Sequence, residues 1–169
     1  KVISMNETVL VTGASSGIGL ELATCFAKDK SRLILVARRE QELQQLATQL
    51  EKLHGVPAIV IPMDLAHGTA AADLEAELRN RSLSVDVLVN SAGFGALGKF
   101  ADLAMDRQMK MLQLNVIALT ELTRRLLPAM VAANRGGVLN VGSVAAFQAG
   151  PNMAVYYATK AYVLSFTEA

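Results

Sequence analysis

Two side chains near the end of the chain, Tyr156 and Lys160, are four residues apart and would share one face of a helix. A free tyrosine has a pKa near ~10 and is a poor acid or base at neutral pH. An ammonium group close to a phenol favours the phenolate and brings proton transfer into the working range. The pair therefore suits proton exchange with a substrate oxygen. Read alone, it is more often a packed ring beside a surface lysine.

Ser143 and Asn115 are two further candidates for the same chemistry. Ser143 follows a predicted strand, at the carboxyl edge where open parallel sheets bind ligands. Taken alone, such a serine is ordinarily an N-cap or turn residue. Asn115 falls inside a long predicted helix, where an isolated Asn is ordinarily a bend or a satisfied buried amide.

A glycine-rich turn, T-G-A-S-S-G-I-G over residues 12–19, joins the first predicted strand to the first predicted helix. This junction is where an open parallel sheet binds phosphate, and glycine lets the backbone approach a pyrophosphate. The spacing differs from G-x-G-x-x-G, and a tight connection without a ligand is the alternative. The candidate cofactor-binding residues of this turn are Gly13, Ser15, Ser16, Gly17, Ile18 and Gly19.

The second predicted strand runs into Ala37-Arg38-Arg39, and no acidic residue appears before Glu40. In this kind of sheet a carboxylate here would hold the ribose 2′-hydroxyl of NAD, whereas an arginine accommodates the 2′-phosphate of NADP. The sequence therefore predicts NADP(H) over NAD(H), with Arg38 as the main contact and Arg39 as an accessory. The alternative is that both arginines are solvated at a helix N-terminus.

The elements that position these residues alternate along the chain. Five short apolar runs predict strands at 8–12, 32–36, 58–61, 85–89 and 137–141. Helical patterns occupy 19–28, 40–53, 69–79 and 106–133, the last divided near Asn115, and a final helix begins near Val155. Strands alternating with helices predict right-handed crossovers. The predicted fold class is α/β, a Rossmann-like doubly wound parallel sheet with helices on both faces.

Composition excludes several other classes of protein. The chain has 169 residues, 52% of them hydrophobic, which predicts one globular domain over residues 1–169. A net charge of +1 gives no basic excess for nucleic acid, and Cys25 alone forms neither a disulfide scaffold nor a cysteine-rich metal site. His54 and His67 have no ligand partners at metal spacing, so no metal is expected. The single cysteine favours a reducing, cytoplasmic compartment. With no run of ~18 apolar residues and no apolar signal segment at the N-terminus, a soluble protein without a membrane span is predicted.

Together the glycine turn, N-S-A-G at residues 90–93, Ser143 and Y-x-x-x-K resemble the short-chain dehydrogenase/reductase family. Ser91 departs mildly from the family's N-N-A-G. The resemblance implies that Tyr156 exchanges the proton, Ser143 orients the substrate oxygen, Lys160 holds the nicotinamide ribose and tunes Tyr156, and Asn115 positions a relay water. It also implies further cofactor contacts from Asp64, Leu65, Asn90, Ala92 and Gly93. For Asp64, a helix-starting cap is the alternative.

The activity that this resemblance implies is hydride transfer between NADP(H) and a carbonyl or secondary alcohol of a small molecule. A non-catalytic NADP(H)-binding regulator or sensor is one alternative, disfavoured because it would not need the proton-transfer set. Epimerisation or dehydration of a nucleotide sugar is another, disfavoured by the glycine spacing.

The resemblance also bears on assembly and length. Family members commonly pair through the long helix and the Tyr156 helix, so a homodimer or homotetramer is expected. They also continue past the Y-x-x-x-K helix with further strands and a substrate lid. The chain is therefore expected to be a truncated NADP-binding domain that binds the cofactor weakly and turns over poorly by itself.

Overall fold

A computed structural model describes residues 7–169. The expectation about a signal segment at residues 1–6 lies outside this part. Five parallel strands form one sheet in the order β3-β2-β1-β4-β5. The strands are β1 Thr8–Thr12, β2 Arg32–Ala37, β3 Ala58–Pro62, β4 Val87–Asn90 and β5 Gly137–Asn140. All of them end at the same edge of the sheet, so the residues that follow them are brought together there.

Residues 7–169 contain six α-helices, five between strands and one after β5. They are α1 Gly17–Lys28, α2 Glu40–His54, α3 Ala70–Asn80, α4 Met105–Leu112, α5 Leu119–Ala132 and α6 Ala154–Glu168. A π-helical turn, Gln113–Ala118, joins α4 to α5, and a 3₁₀ turn, Val144–Phe147, lies between β5 and α6. The predicted break near Asn115 is thus a widened turn inside one continuous helical stretch.

The core divides into two layers, one on each face of the sheet. Alternate residues of a strand point to opposite faces, so Val9 and Val11 enter one layer and Leu10 enters the other. The first layer packs β1 and β2 against α1 and α2, through Phe26, Leu43, Leu46 and Leu50 among others. The second layer packs the other face against α3 and α5, through Leu74, Leu78, Leu122 and Met130 among others. This confirms the Rossmann-like doubly wound fold.

Element boundaries differ from the sequence prediction by two residues at most. The largest strand difference is at β4, which begins at Val87 rather than at Val85. Asp86 lies just before it, and its carboxylate accepts a hydrogen bond from Thr8 N at 2.9 Å and pairs with Arg135 at 2.9 Å. Asp86 therefore makes polar contacts just before the strand, and β4 begins after it, at Val87.

Candidate active site

One cavity of about 580 Å³ runs along the carboxyl edge of the sheet, from the ends of β2 and β3 to the end of β5 and helix α6. It brings together most of the residues that were predicted to bind a cofactor. The predicted residues that line it are Gly13, Ser15, Ser16, Gly17, Ile18, Gly19, Arg38, Arg39, Asp64, Leu65, Ala92, Gly93, Tyr156 and Lys160. Asn90, Asn115 and Ser143 do not line it.

The glycine turn is shaped by its backbone. Gly13 has φ +69°, and a Cβ at this position would lie 2.9 Å from the backbone of Ala92. Its N–H donates to Val36 O at 2.8 Å, which ties the turn to the end of β2. Ser16 precedes α1 without a side-chain cap, so the first-turn amides of that helix face the cavity uncapped. Such amides and the helix dipole favour an anion.

Thr12 joins this turn to the segment that follows β4. Its buried hydroxyl donates to Val89 O at 3.1 Å and accepts hydrogen bonds from Ser91 N at 3.0 Å and Ala92 N at 3.1 Å. Sequence reasoning missed this role, because a threonine at the end of a strand carries no signal of its partners. The contact holds Ser91 and Ala92 at the wall of the cavity.

The two arginines after β2 have different surroundings. Arg39 donates from Nη2 to Ser15 O at 3.2 Å and to Ser15 Oγ at 3.1 Å, and it pairs with Glu42 at 3.4 Å. Arg38 also lines the cavity but makes no hydrogen bond or ion pair with any residue in the range 7–169. The Arg39 cation is thus anchored to the glycine turn, while the Arg38 guanidinium has all of its donors available for a ligand.

Asp64 and Leu65 lie where β3 leads into a turn. Asp64 Oδ1 accepts a hydrogen bond from Ala66 N at 3.0 Å. The carboxylate closes this local turn rather than capping α3, which begins only at Ala70. Leu65 is buried in the core layer that contains α3 and α5, and both residues also line the cavity.

Asn90 lies behind the cavity. Its Nδ2 donates to Thr123 Oγ1 at 3.1 Å and to Asn140 Oδ1 at 2.9 Å. Asn90 and Asn140 are register partners in β4 and β5, and Asn140 in turn donates to Thr167 Oγ1 of α6 at 2.9 Å. This chain of amides links α5, the sheet and α6, so Asn90 supports the edge of the sheet from within.

Tyr156 and Lys160 lie one helical turn apart on α6, and both line the cavity. Lys160 Nζ donates to Val141 O at 2.7 Å, at the end of β5. Burial disfavours the ammonium form and lowers the pKa of Lys160 below the ordinary lysine value. The Tyr156 ring packs against Gly95, where a Cβ would lie 3.2 Å from Cδ2 of the tyrosine.

Ser143 caps the 3₁₀ turn that follows β5. Its Oγ accepts a hydrogen bond from Ala145 N at 3.1 Å, so the ordinary capping role is present. This bond uses a lone pair of the oxygen and leaves the hydroxyl proton free to donate elsewhere.

Asn115 is a buried, hydrogen-bonded amide in the π-helical turn, with 2% of its surface exposed. Its Oδ1 accepts from Phe94 N at 3.1 Å, and its Nδ2 donates to Phe94 O at 2.9 Å and to Thr159 Oγ1 at 3.1 Å. The side chain thus joins the loop after β4 to α6. Its direct contacts are with these segments and not with the cavity.

Several lining residues were absent from the sequence prediction. Most of them follow strand ends, and the rule that places ligands at that edge could have found them. Leu114 comes from the π-helical turn and carried no such signal. The additional lining residues are Ala37, Met63, Ser91, Phe94, Gly95, Leu114, Val141 and Gly142.

Residues 7–169 show no clustered metal ligands and no membrane-spanning helix. No group of three or more His, Cys, Asp or Glu side chains in this range is placed to hold a metal ion. No helix in the same range is long and apolar enough to cross a membrane.

Comparison with known proteins identifies relatives with this architecture. The chain is 37% identical over 166 residues to the NADP-dependent 3-hydroxy acid dehydrogenase of Schizosaccharomyces pombe, covering 96% of this chain and 64% of that protein. A short-chain dehydrogenase from Sphingobium yanoikuyae in complex with NADPH superposes with a TM-score of 0.89 at 36% identity, covering 96% of this chain and 63% of that one.

The bulky-bulky ketone specific alcohol dehydrogenase from Comamonas testosteroni superposes with a TM-score of 0.90 at 34% identity, covering 98% of this chain and 66% of that one. The chain thus spans about two thirds or less of the length of these proteins. The family model for short chain dehydrogenases matches residues 7–169. This chain therefore belongs to the short-chain dehydrogenase family.

Proposed function

We propose that residues 1–169 form the NADP(H)-binding part of an oxidoreductase that transfers a hydride between NADP(H) and a carbonyl or secondary alcohol. The observation that carries this proposal is the set of residues that line the cavity along the carboxyl edge of the sheet. A phosphate-type glycine turn and a free arginine line it beside β1 and β2, and Tyr156 and Lys160 line it beside β5.

The groups that line the cavity suit a dinucleotide. The close approach of Gly13 to Ala92 leaves no room for a side chain inside the turn, so the backbone itself forms the wall. The uncapped amides of α1 suit a pyrophosphate. Asp64 and Leu65, which line the cavity after β3, are the residues we assign to the adenine. When bound, NADP(H) supplies or accepts the hydride.

Arg38 is the residue we assign to the choice of NADP(H) over NAD(H). Its guanidinium lines the cavity, has no partner among the described residues, and matches a phosphate with parallel hydrogen bonds. Arg39 is an accessory contact, because its Nη2 is already held by Ser15.

Tyr156 donates a proton to the carbonyl oxygen during reduction and removes one from the alcohol during oxidation. Ser143 uses its free hydroxyl proton to orient the same oxygen. Lys160, held by Val141 O, provides a positive charge on the same face of α6 and donates to the ribose hydroxyls. Asn115 supports the water that relays the proton to solvent. The names of the relatives support NADP(H) as the cofactor and a carbonyl or alcohol as the substrate class.

The remaining parts of the proposal concern the whole protein. We infer a small-molecule substrate, a homodimer or homotetramer, and a cytoplasmic location without nucleic acid or membrane partners. The residues assigned to the cofactor and to proton transfer lie in this chain, which spans about two thirds or less of the length of the relatives compared above.

Single-turnover oxidation of NADPH tests the proposal, with excess protein and a panel of ketones, aldehydes and 3-oxoacyl thioesters. We expect loss of NADPH absorbance with at least one member of the panel. Tyr156→Phe should reduce the rate by about 10²–10⁴-fold, the usual share of a general acid. Tyr162→Phe is the matched control, since this tyrosine also lies on α6 but does not line the cavity.

Two outcomes would contradict the proposal. Equal rates for Tyr156→Phe and the parent would exclude the assigned proton donor. Tight NADPH binding without turnover on any carbonyl would instead favour the non-catalytic regulator or sensor.

A further inference from the structure

The hydroxyl of Thr159 lies buried between two of the residues assigned to the chemistry. Thr159 is on α6, between Tyr156 and Lys160, and 1% of its surface is exposed. Its Oγ1 donates to Tyr156 O at 2.7 Å and accepts a hydrogen bond from Asn115 Nδ2 at 3.1 Å. Both hydrogen-bonding directions of this hydroxyl are therefore defined.

These bonds fix the orientation of the Asn115 amide. Oδ1 accepts from Phe94 N, while Nδ2 donates to Phe94 O and to Thr159 Oγ1. Rotating the amide by half a turn would set its NH₂ group against the Phe94 N–H and its oxygen against two other oxygens. Since Thr159 uses its proton on the Tyr156 carbonyl, it presents a lone pair to Asn115 and selects the observed orientation.

The same chain of bonds reaches the surface of the cavity. Phe94 and Gly95 line it, and Gly95 packs against the Tyr156 ring. A Cβ added at Gly95 would lie only 3.2 Å from Cδ2 of Tyr156. The Asn115 amide therefore holds the loop after β4 against the tyrosine, and Thr159 holds the amide from the side of α6.

We propose that Thr159 is a positioning residue for Tyr156, acting through Asn115 and the loop that contains Phe94 and Gly95. This role rests on the proposed function, because its effect on turnover requires that Tyr156 transfers the proton. The orientation of the amide by itself does not depend on any activity.

The test compares Thr159→Val, which keeps the shape and removes the hydroxyl, with Thr159→Ser, which keeps the hydroxyl. Thr24→Val is the matched control, because Thr24 bonds only a carbonyl of its own helix, Leu20 O at 3.0 Å. Solvent exchange of the ¹⁵N-labelled Asn115 side-chain amide is measured by NMR, together with kcat, KM and the Kd for NADPH.

We expect Thr159→Val to speed amide exchange and to lower kcat by about five- to tenfold each, the effect of losing one buried hydrogen bond. KM and the NADPH Kd should stay within about twofold, since no contact around the glycine turn or the end of β2 is removed. Thr159→Ser should restore both affected quantities. If Thr159→Val does not fold, Thr159→Cys makes the same comparison with a weaker hydrogen-bonding group.

Amide exchange in Thr159→Val equal to that in Thr24→Val would overturn the proposed role of Thr159, whatever the turnover. Faster exchange with unchanged kcat would overturn it as well, since Tyr156 would then not depend on the amide. Absence of turnover in the parent would instead contradict the proposed function, and the exchange data would still decide whether Thr159 holds Asn115.

Discussion

The two ends of the cavity are built in different ways. Around β1 and β2 the strand interiors are fully buried, and the glycine turn is shaped by backbone geometry and close packing at Gly13. Around β5 the strand is half-exposed, with Leu139 37% exposed, and α6 buries Thr159 and Val163. There the assigned groups are held by individual side-chain hydrogen bonds, such as that from Lys160 to Val141 O.

This difference predicts that binding and chemistry respond to different substitutions. We call the β1–β2 end the cofactor cradle. Steric changes there should abolish NADP(H) binding, because its wall is formed by packed backbone that cannot adjust. Except at Lys160, which is also assigned to the ribose hydroxyls of the cofactor, changes at the β5–α6 end, called the catalytic edge, should leave binding nearly intact and alter proton transfer or local stability. Each of the following variants tests one side of that division.

The largest effect on the cradle is expected from Gly13→Val. The new Cβ would lie 2.9 Å from the Ala92 backbone, and a β-branched residue at φ +69° is strained. We expect a loss of about 3 kcal/mol in the free energy of unfolding and a rise of at least ~100-fold in the NADPH Kd. Urea unfolding and fluorescence titration measure the two quantities.

Gly68→Val is the control for this substitution, because a Cβ at Gly68 meets no atom within 4 Å. It should leave both quantities close to those of the parent. Near-parental NADPH binding by Gly13→Val would show that the turn adjusts, and the cradle would not be a rigid backbone site.

A smaller and more selective effect is expected from Arg38→Asp. Loss of a charged hydrogen-bonding pair with the 2′-phosphate should raise the NADPH Kd by about 10–100-fold, while the NADH Kd should change by less than about threefold. Titration with both cofactors measures the ratio. An unchanged preference would remove Arg38 from the choice of cofactor.

Lys160 gives the catalytic edge a pH dependence of its own. Its pKa is lowered from 10.5 because burial disfavours the charged form. Between the lowered pKa and 10.5 the unfolded state binds more protons than the folded state, so the free energy of unfolding rises with pH through this window. At lower pH both states are protonated, and this contribution is constant.

Lys160→Met removes the titrating group, so the stability of the parent relative to this variant should increase as pH rises toward 10.5. Urea unfolding of both proteins, at neutral pH and just below that value, measures the change. A difference that stays constant or declines with rising pH would mean that the folded protein does not lower the pKa of Lys160.

The smallest effect is expected from Arg39→Ala. Its guanidinium contacts the Ser15 hydroxyl and Glu42 at the surface, where such contacts contribute about 0.2–1 kcal/mol. The NADPH Kd should rise by about two- to threefold, with Arg79→Ala, on α3 and away from the cavity, as control. A loss as large as that of Arg38→Asp would reverse the roles assigned to the two arginines.

The sequence predicted element boundaries well wherever a run of apolar residues ends at a turn-forming residue such as glycine. The first strand was predicted at its observed bounds, because a continuous apolar run meets the Gly13 turn. The start of β4 was predicted two residues early, since the apolar pattern cannot show that Asp86 binds Thr8 N and Arg135. The partner of a polar side chain depends on tertiary contacts that periodicity does not contain.

The same limit applies to the site. Motif spacing predicted that Tyr156 and Lys160 share a face, because i and i+4 residues on a helix always do. It gave no indication that Asn115 bonds Phe94 and Thr159, since these contacts join segments distant in the chain. The types and order of residues therefore predicted the candidate site residues. The hydrogen bonds that hold these residues in place could be seen only in the structure.

The most direct test of the division between cradle and catalytic edge is an NADPH titration of Gly13→Val and Tyr156→Phe beside the parent chain. We predict that Gly13→Val weakens NADPH binding by at least ~100-fold, while Tyr156→Phe, which loses only a hydroxyl, stays within about threefold of the parent Kd. Equal losses in the two variants, or parental binding by Gly13→Val, would contradict this prediction.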